Sequence, residues 1–198
     1  MKVVFLGPKK DPQLSVISFL EQNDVSVDHF ENNINDGFSL KGYDFLISLG
    51  YRYIINKQIL DYFQERAINF HISYLPWNKG ADPNLWSFLE DTPKGVTIHL
   101  IDEKIDNGKI ICQKELYLNE EETLESSYNI LQNEIVLLFK KNWKKIRNNS
   151  YTPKSQISDG SYHRLIDKNK FSHLLSNGWK TKIKELTGKA KNAKNGKI

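Results

Sequence analysis

Strand-like and helix-like patterns of apolar residues alternate along the first seventy residues of the chain. Four segments are short apolar or alternating runs, as strands are: 2–7, 25–30, 43–49 and 67–71. Between them, apolar residues at helical spacing predict helices over residues 12–21 and 59–64. Because strands alternate with helices, we predict an α/β fold with a mostly parallel sheet flanked by helices.

The pattern changes after residue 83. Residues 85–89 predict a short helical segment, and residues 95–101 and 109–118 predict two strands that form a long hairpin or an adjacent pair at the edge of the sheet. Residues 123–143 keep apolar residues three or four positions apart and predict the longest helix. From residue 148 onward the pattern weakens.

This course of the pattern divides the chain into three parts. We predict a core over residues 1–147 and a short C-terminal extension over residues 148–185, which packs on the core or beside its functional site. Residues 186–198 are predicted to be a basic, flexible tail, because they are polar and rich in Lys, Gly and Asn.

Composition favours a folded protein in a reducing compartment. Hydrophobic residues make up 39% of the 198 residues, enough to offset the entropy of the chain, which excludes wholesale disorder. A single cysteine, Cys112, excludes an intramolecular disulfide, and no apolar run is long enough to span a bilayer. We therefore expect a cytoplasmic protein without a membrane segment.

The net charge of +4 is unevenly distributed. Residues 180–198 hold seven Lys and one Glu, a net charge of +6, so that the remainder of the chain carries −2. Such a run is typical of a solvated tail, and the alternative is a contact between the tail and an anionic partner. Because the basic charge is confined to the tail, we expect no nucleic-acid partner for the folded body.

Polar residues interrupt a predicted strand in the segment INFHISYLPWNKGADPNLW at 68–86. Asn69 and His71 are two positions apart, so that in a strand both side chains lie on one face. The carboxyl ends of the strands in open α/β sheets are where ligands bind. This pair is therefore a candidate for chemistry.

The loop between the next two predicted strands supplies carboxylates, at Asp102, Glu103 and Asp106. A carboxylate beside His71 would orient the imidazole ring and raise its pKa, while the Asn69 amide donates to an oxygen that gains negative charge. These residue types predict a carbonyl-transfer site that needs no nucleophilic Ser or Cys.

Each of these residues also has a structural interpretation. Asn69 suits a hydrogen bond to the backbone at a strand end, and His71 suits a structural role in the core. Asp106 precedes an Asn-Gly pair, which is typical of turns. From the residues alone, these alternatives stay open.

We predict no metal site. His71, His99 and Cys112 lack the spacing of a structural zinc site, and His99 is expected to be a packed strand residue.

The two segments together resemble the signature of the formyltransferase family that uses 10-formyltetrahydrofolate. The family pattern is Asn, a spacer and His, then Leu-Pro, a basic residue and Gly, followed by Gly-x-Thr-x-His and by an Asp two positions before Gly. The matching residues here are Asn69, His71, Leu75, Pro76, Lys79, Gly80, Gly95, Thr97, His99, Asp106 and Gly108. The resemblance covers residues 45–115 and more loosely the opening of the chain, and it implies a Rossmann-like sheet with the catalytic core in residues 1–147.

By this resemblance Asn69, His71 and Asp106 are the catalytic residues. Asn69 and a protonated His71 would stabilise charge on the carbonyl oxygen while an amine attacks the formyl carbon. Asp106 would hold His71 and help to move a proton to the departing folate nitrogen. The implied formyl donor is 10-formyltetrahydrofolate, and the family needs no metal.

The same resemblance implies a folate pocket along residues 48–55 and the loop at 102–106. The candidate donor-binding residues are Phe45, Leu49, Tyr51, Ile54, Leu75 and Asp102. Phe45 and Leu49 are equally interpretable as strand core.

Departures from the family pattern bear on the acceptor. The stretch after the first strand, FLGPKKDPQL, lacks the glycine- and serine-rich loop with which glycinamide ribonucleotide formyltransferase binds phosphate. After Trp143 only 55 residues remain, and they lack the strand series of the further domain of methionyl-tRNA formyltransferase. The N-formyltransferases of nucleotide-linked amino sugars resemble the chain most, in residues 74–86 and 158–186.

The resemblance therefore implies transfer of a formyl group to the primary amine of a nucleotide-linked amino sugar in surface-glycan biosynthesis. The candidate acceptor-binding residues are Tyr74, Trp77, Asn78, Lys79, Asp82, Asn84, Tyr162, His163 and Arg164. Trp77 and Trp86 suit stacking on a sugar or base, and Trp86 equally suits the core. The alternatives are a formyltransferase for glycinamide ribonucleotide or another small amine, and an inactive α/β module that binds a nucleotide or RNA. Aromatic residues near the C-terminus favour a homodimer.

Overall fold

The computed structural model describes residues 1–35 and 37–194, which form eight strands and six α-helices. The strands are β1 (Lys2–Leu6), β2 (Ser26–Phe30), β3 (Phe45–Leu49), β4 (Ala67–His71), β5 (Lys79–Gly80), β6 (Gly95–Leu100), β7 (Ile110–Glu115) and β8 (Tyr162–His163). The helices are α1 (Gln13–Glu21), α2 (Lys57–Phe63), α3 (Pro83–Leu89), α4 (Leu124–Arg147), α5 (Ile183–Leu186) and α6 (Lys189–Lys194).

Six strands form the central sheet, in the order β2-β1-β3-β4-β6-β7. The first four in this order are parallel, whereas β6 is antiparallel to both β4 and β7. The predicted α/β fold with a mostly parallel, Rossmann-like sheet is confirmed, and so is the pair of late strands at the sheet edge. β4 therefore lies between a parallel and an antiparallel neighbour, and the first half of β6 runs beside the carboxyl end of β4, where ligands bind in such sheets.

Helices cover both faces of the sheet because its strands are apolar on both sides. On one face, Val3 and Phe5 of β1 join a buried cluster with α1 and with Phe139 of α4. On the other face, Val4 and Leu6 join a cluster with α2. The strict alternation along β1 follows from the two-residue period of a strand.

α4 is the longest described helix and runs one turn beyond the predicted end. It begins with a capping box in which Thr123 and Ser126 each bond to the other's backbone N–H. Trp143 and Ile146 are buried, so that the apolar face continues to Arg147. None of the helices in residues 1–35 and 37–194 combines the length and the apolar character that a bilayer crossing needs.

The C-terminal extension packs on the core. β8 pairs in parallel with β5 in a small second sheet, and 3₁₀ turns follow at Leu165–Leu174 and Gly178–Lys180. α5 and α6 then bury apolar side chains against α3. Of the predicted tail, Lys189–Lys194 forms α6 with Ala190 buried, and residues 195–198 lie outside the described residues. The division into three parts stays a prediction.

Candidate active site

The carboxyl end of β4 presents polar side chains on one face. Asn69 and His71 lie there, and their partners in β6 are His99 and Thr97. Directly paired residues of neighbouring strands lie on the same face, so these four side chains are neighbours. His71, His99 and Thr97 are buried, and Asn69 is half-buried.

Asp106 reaches this face from the loop between β6 and β7. Its Oδ1 accepts a hydrogen bond from Asn69 Nδ2 at 3.2 Å, and its Oδ2 accepts one from the Gly80 backbone N–H at 2.8 Å. Oδ2 also lies 3.4 Å from His71 Nδ1. The structure thus brings the three predicted catalytic residues together across 37 positions of sequence.

Close packing and polar contacts fix the Asp106 loop. A Cβ on Gly108 would lie 1.7 Å from the carbonyl oxygen of Leu100, so that only glycine fits at this point of the loop. Lys79 Nζ donates to Asn107 Oδ1 at 2.9 Å, which ties the loop to β5. Asp106 itself has a left-handed backbone, with φ 51°, which non-glycine residues adopt at an energetic cost.

Asp106 is ionised at neutral pH. Burial alone would raise its pKa, but the His71 and His99 rings and the Gly80 N–H outweigh burial, so that the pKa of Asp106 lies well below its usual range. A carboxylate in this position is a fixed negative charge within the site.

His71 is neutral at pH 7. Burial lowers the pKa of His71, against the opposing effects of the Asp106 charge and the Asn78 carbonyl. The Asp106 carboxylate, 3.4 Å away, raises the pKa of His71 as expected, but the cost of burying a charged ring is larger, so the net shift is downward. His71 Nε2 lies 2.9 Å from the Asn78 carbonyl, which only accepts, so Nε2 carries the proton of the neutral ring. Nδ1 is then unprotonated and faces Asp106 Oδ2 at 3.4 Å.

A titration of labelled histidine by NMR should show that His71 stays neutral until the pH falls below 6.5. In Asp106→Asn the pKa of His71 should fall further, because the carboxylate is what opposes the effect of burial. A His71 pKa above 6.5 in the unmodified protein, or a rise in the Asp106→Asn variant, would contradict this assignment of charge.

His99 belongs to the site as well as to the strand. It is buried as expected, and its Nδ1 lies 2.8 Å from the Leu100 carbonyl. Its Nε2 lies 3.2 Å from Asn69 Nδ2 and 3.4 Å from Asp106 Oδ1. Sequence reasoning missed this role, although the antiparallel pairing of β4 with β6 would have indicated it. The Asn69 amide donates to Asp106 and contacts His99. One of its two hydrogens must therefore leave its present partner before the amide can donate to a substrate.

The family model for formyl transferase matches residues 5–139, more than half of the chain and all of the residues just described. The chain belongs to the formyl transferase family. The expected family resemblance is thus confirmed.

Two curated relatives show how far the likeness extends. Methionyl-tRNA formyltransferase of Thermodesulfovibrio yellowstonii is 33% identical over 129 residues, which are 63% of this chain and 41% of that protein. The dTDP-4-amino-4,6-dideoxyglucose formyltransferase of Mycobacterium tuberculosis is 33% identical over 125 residues, 56% of this chain and 52% of that protein. The chain thus spans about half the length of these curated relatives.

Solved structures match over more of their length. The formyltransferase PseJ from Anoxybacillus kamchatkensis, in complex with UDP-4,6-dideoxy-4-formamido-L-AltNAc and tetrahydrofolate, is 47% identical with a TM-score of 0.92, over 96% of this chain and 100% of that chain. WlaRD, a sugar 3N-formyl transferase in the presence of dTDP and 5-N-formyl-THF, is 26% identical with a TM-score of 0.72, over 84% of this chain and 70% of that chain.

The predicted donor-binding residues of this family member divide between core and surface. Phe45 starts β3, at the strand end away from the site, and packs edge-on against Trp143. Leu49 belongs to the same buried cluster. Both are buried, which favours the interpretation as strand core, and their part in binding the donor stays a prediction. Leu75 is buried, and Ile54 and Asp102 are exposed.

Tyr51 lines a cleft of about 1220 Å³ beside the carboxyl ends of β1, β2 and β3. Tyr53 and the α4 residue Tyr128 add two more aromatic rings to its wall. The side-chain oxygens of Gln13 and Gln132 also face this region, and both are buried without a hydrogen-bond partner among the described residues. The cleft therefore suits a flat ring that carries N–H donors. The sequence did not indicate that α4 forms one wall of the cleft. Polar residues beside the apolar face of a helix are common and carry no signal of a binding site.

Three of the predicted acceptor-binding residues are occupied by internal contacts. Asn78 Nδ2 donates to Thr92 Oγ1 at 2.8 Å, and Asn84 Nδ2 donates to the Leu124 carbonyl at 3.0 Å. His163 is stacked on Trp86 with ring centroids 3.7 Å apart. Asn78, Asn84 and His163 therefore have structural contacts within the protein, and their part in binding the acceptor stays a prediction. The stacking of Trp86 on His163 favours the interpretation of Trp86 as a core residue.

The remaining acceptor candidates differ in exposure. Lys79 is buried and bonds to the Asp106 loop, and burial lowers its pKa against the attraction of nearby Asp159 and Asp102. Asp82 pairs with Lys168 at 2.9 Å. The half-buried or exposed candidates near the site are Tyr74, Trp77, Tyr162 and Arg164. These four are the ones whose side chains remain accessible to a substrate.

Proposed function

We propose that the protein is an N-formyltransferase that moves a formyl group from 10-formyltetrahydrofolate to the primary amine of a nucleotide-linked amino sugar. The observation that carries this proposal is the buried contact of Asn69, His71 and Asp106, in a chain that is 47% identical to PseJ over 96% of its length. PseJ is described with a UDP-linked formamido sugar and tetrahydrofolate. A formamido group is a formylated primary amine, so the amine at position 4 of a UDP-linked sugar is the acceptor we favour.

The cleft fits the ring systems that this reaction needs. A reduced pterin and a nucleobase both carry N–H donors on a flat ring, which suits the unpartnered oxygens of Gln13 and Gln132 beside three tyrosines. Tyr51, Tyr53 and Tyr128 would hold such a ring by stacking. When bound, 10-formyltetrahydrofolate supplies the formyl carbon that the amine attacks.

The three site residues divide the chemistry between them. The Asn69 amide is placed to donate a hydrogen bond to a carbonyl oxygen that gains negative charge. His71 Nδ1 takes a proton from the attacking amine, directly or through a water, because the neutral ring is a base. The Asp106 carboxylate, 3.4 Å away, stabilises the imidazolium that forms. The ring then gives this proton to the folate nitrogen as the bond between that nitrogen and the formyl carbon breaks, which would release tetrahydrofolate. His71 thus begins the reaction neutral, instead of protonated as the sequence suggested.

A panel of amines tests this function. The protein is incubated with 10-formyltetrahydrofolate and UDP- or dTDP-linked 4-amino or 3-amino sugars, glycinamide ribonucleotide, or charged initiator tRNA, and release of tetrahydrofolate is followed by absorbance. We expect the fastest turnover with a UDP-linked 4-amino sugar. Turnover with glycinamide ribonucleotide or tRNA alone, or with no amine at all, would contradict the proposal.

We also propose that two copies of the chain associate through the C-terminal extension. Four large apolar side chains there are at least half exposed, namely Ile157, Leu165, Ile166 and Trp179. Covering such side chains removes apolar surface from water, which favours association. Light scattering should give about twice the 23.1 kDa of one chain, and a mass of 23.1 kDa at every concentration tested would contradict a dimer.

We place the protein in the cytoplasm. The single thiol supports a reducing compartment, because it has no partner for a disulfide within the chain. Burial raises the pKa of Cys112 to about 12, so the thiol is also poorly reactive.

A further inference from the structure

Residues 154–163, called the C-terminal strap below, lie against the loops that form the site. At the start of the strap, Lys154 and Ile110 exchange two backbone hydrogen bonds of 2.8 Å. At its end, β8 pairs with β5. The strap is therefore fixed to the strand that follows the Asp106 loop and to the strand that precedes α3.

Within the strap, the Gln156 side chain forms hydrogen bonds with the Asp106 loop. It is half-buried, whereas residues 154–155 and 157–159 on either side are exposed. Its Nε2 donates to the backbone carbonyl of Asp106 at 2.9 Å and to that of Gly108 at 3.0 Å. One amide group thus holds the carbonyls on both sides of Asn107.

The Asp106 loop needs an external hold of this kind. The left-handed backbone of Asp106 is not the conformation that an aspartate prefers, so the loop must be held in place by its surroundings. The contacts of the carboxylate with Asn69 and His71 are 3.2 and 3.4 Å long, and a small shift of the loop would break them. Gly80 holds the carboxylate, but its N–H does not contact the backbone of Asp106.

We propose that Gln156 is a positioning residue for Asp106, through which the C-terminal strap holds the catalytic loop in its working conformation. Gln156 does not touch the reacting atoms and acts only by fixing where the Asp106 carboxylate lies. The proposal rests on the proposed function, because it assigns to Asp106 a part in formyl transfer.

Two substitutions test this role. Gln156→Ala removes the amide, and Gln156→Glu keeps the size of the side chain but places a carboxylate against two carbonyl oxygens. Each should lower kcat roughly 10- to 100-fold, the effect expected of a misplacement of about 1 Å, with little change in the KM of either substrate. Tyr151→Phe is the matched control, since it removes a 2.9 Å hydrogen bond to the Glu65 carbonyl just before the strap and should leave kcat unchanged.

An NMR titration of His71 separates positioning from general stability. When Asp106 moves away, its charge raises the pKa of His71 less, so that pKa should fall in Gln156→Ala and stay constant in Tyr151→Phe. Gln156→Glu adds a charge of its own and is therefore compared by kcat only. A lowered melting temperature with unchanged kcat and unchanged His71 titration would overturn the proposal. The titration needs no turnover. If no amine is formylated, the proposed function is overturned, but the titration still decides whether Gln156 positions Asp106.

Discussion

Replacing His71 by Ala is expected to lower kcat about 100- to 10,000-fold, the usual effect of losing a positioned general base. The neutral ring offers Nδ1 as a proton acceptor while Nε2–H is held by the Asn78 carbonyl. His99 also places a ring nitrogen, Nε2, 3.4 Å from Asp106, but Asn69 Nδ2 contacts that nitrogen at 3.2 Å. The measurement is steady-state kcat with both substrates saturating.

Two controls accompany this variant. His173→Ala removes an exposed imidazole in the C-terminal extension and should leave kcat unchanged. Thermal unfolding of His71→Ala shows whether the loss of a buried ring has reduced the folded fraction, since truncation of a buried side chain leaves a cavity. Full turnover by folded His71→Ala would refute the assignment of His71 as the base.

Asn69→Ala is expected to lower kcat about 100- to 1,000-fold, because the site loses its donor to the developing negative charge. The substitution also removes one hydrogen bond to Asp106 and one contact with His99, each 3.2 Å long. The loss should fall mainly on kcat, since the donor acts on charge that is greatest in the transition state.

Asn142→Ala is a matched control for this variant. Asn142 also carries a half-buried amide, but its Nδ2 donates to the Leu138 carbonyl within α4. Its removal should leave kcat near that of the unmodified protein. Equal kcat values for Asn69→Ala and Asn142→Ala would show that Asn69 has no part in the chemistry.

Strand and helix positions were predictable because each element carries its own periodic signal. The predicted strand over 67–71 coincides with β4, and the helix predicted over 123–143 lies within Thr123–Arg147. The C-terminal extension was not predictable in detail, since its 3₁₀ turns and two-residue strand have no period to detect. The apolar residues that fix it to α3 are also far from α3 in sequence.

The centre of the site was more predictable than its surroundings. Asn69, His71 and Asp106 follow a family pattern, and the structure brings them together. The contact between Gln156 and Asp106 joins a side chain to a carbonyl 50 positions away, and such contacts leave no mark in composition or spacing. The charge on His71 could not be inferred either, because it depends on burial that only the packed structure reveals.

The position of the strap near the C-terminus also affects when during translation the protein becomes active. Synthesis begins at the amino end, so the whole central sheet, which closes with β7 at Glu115, leaves the ribosome before residue 156. On the proposal for Gln156, the nascent chain then has Asn69 and His71 in place while the backbone of the Asp106 loop still lacks the two hydrogen bonds from Gln156. Competence in formyl transfer would be among the last properties to emerge during translation, after the bulk of the core has formed.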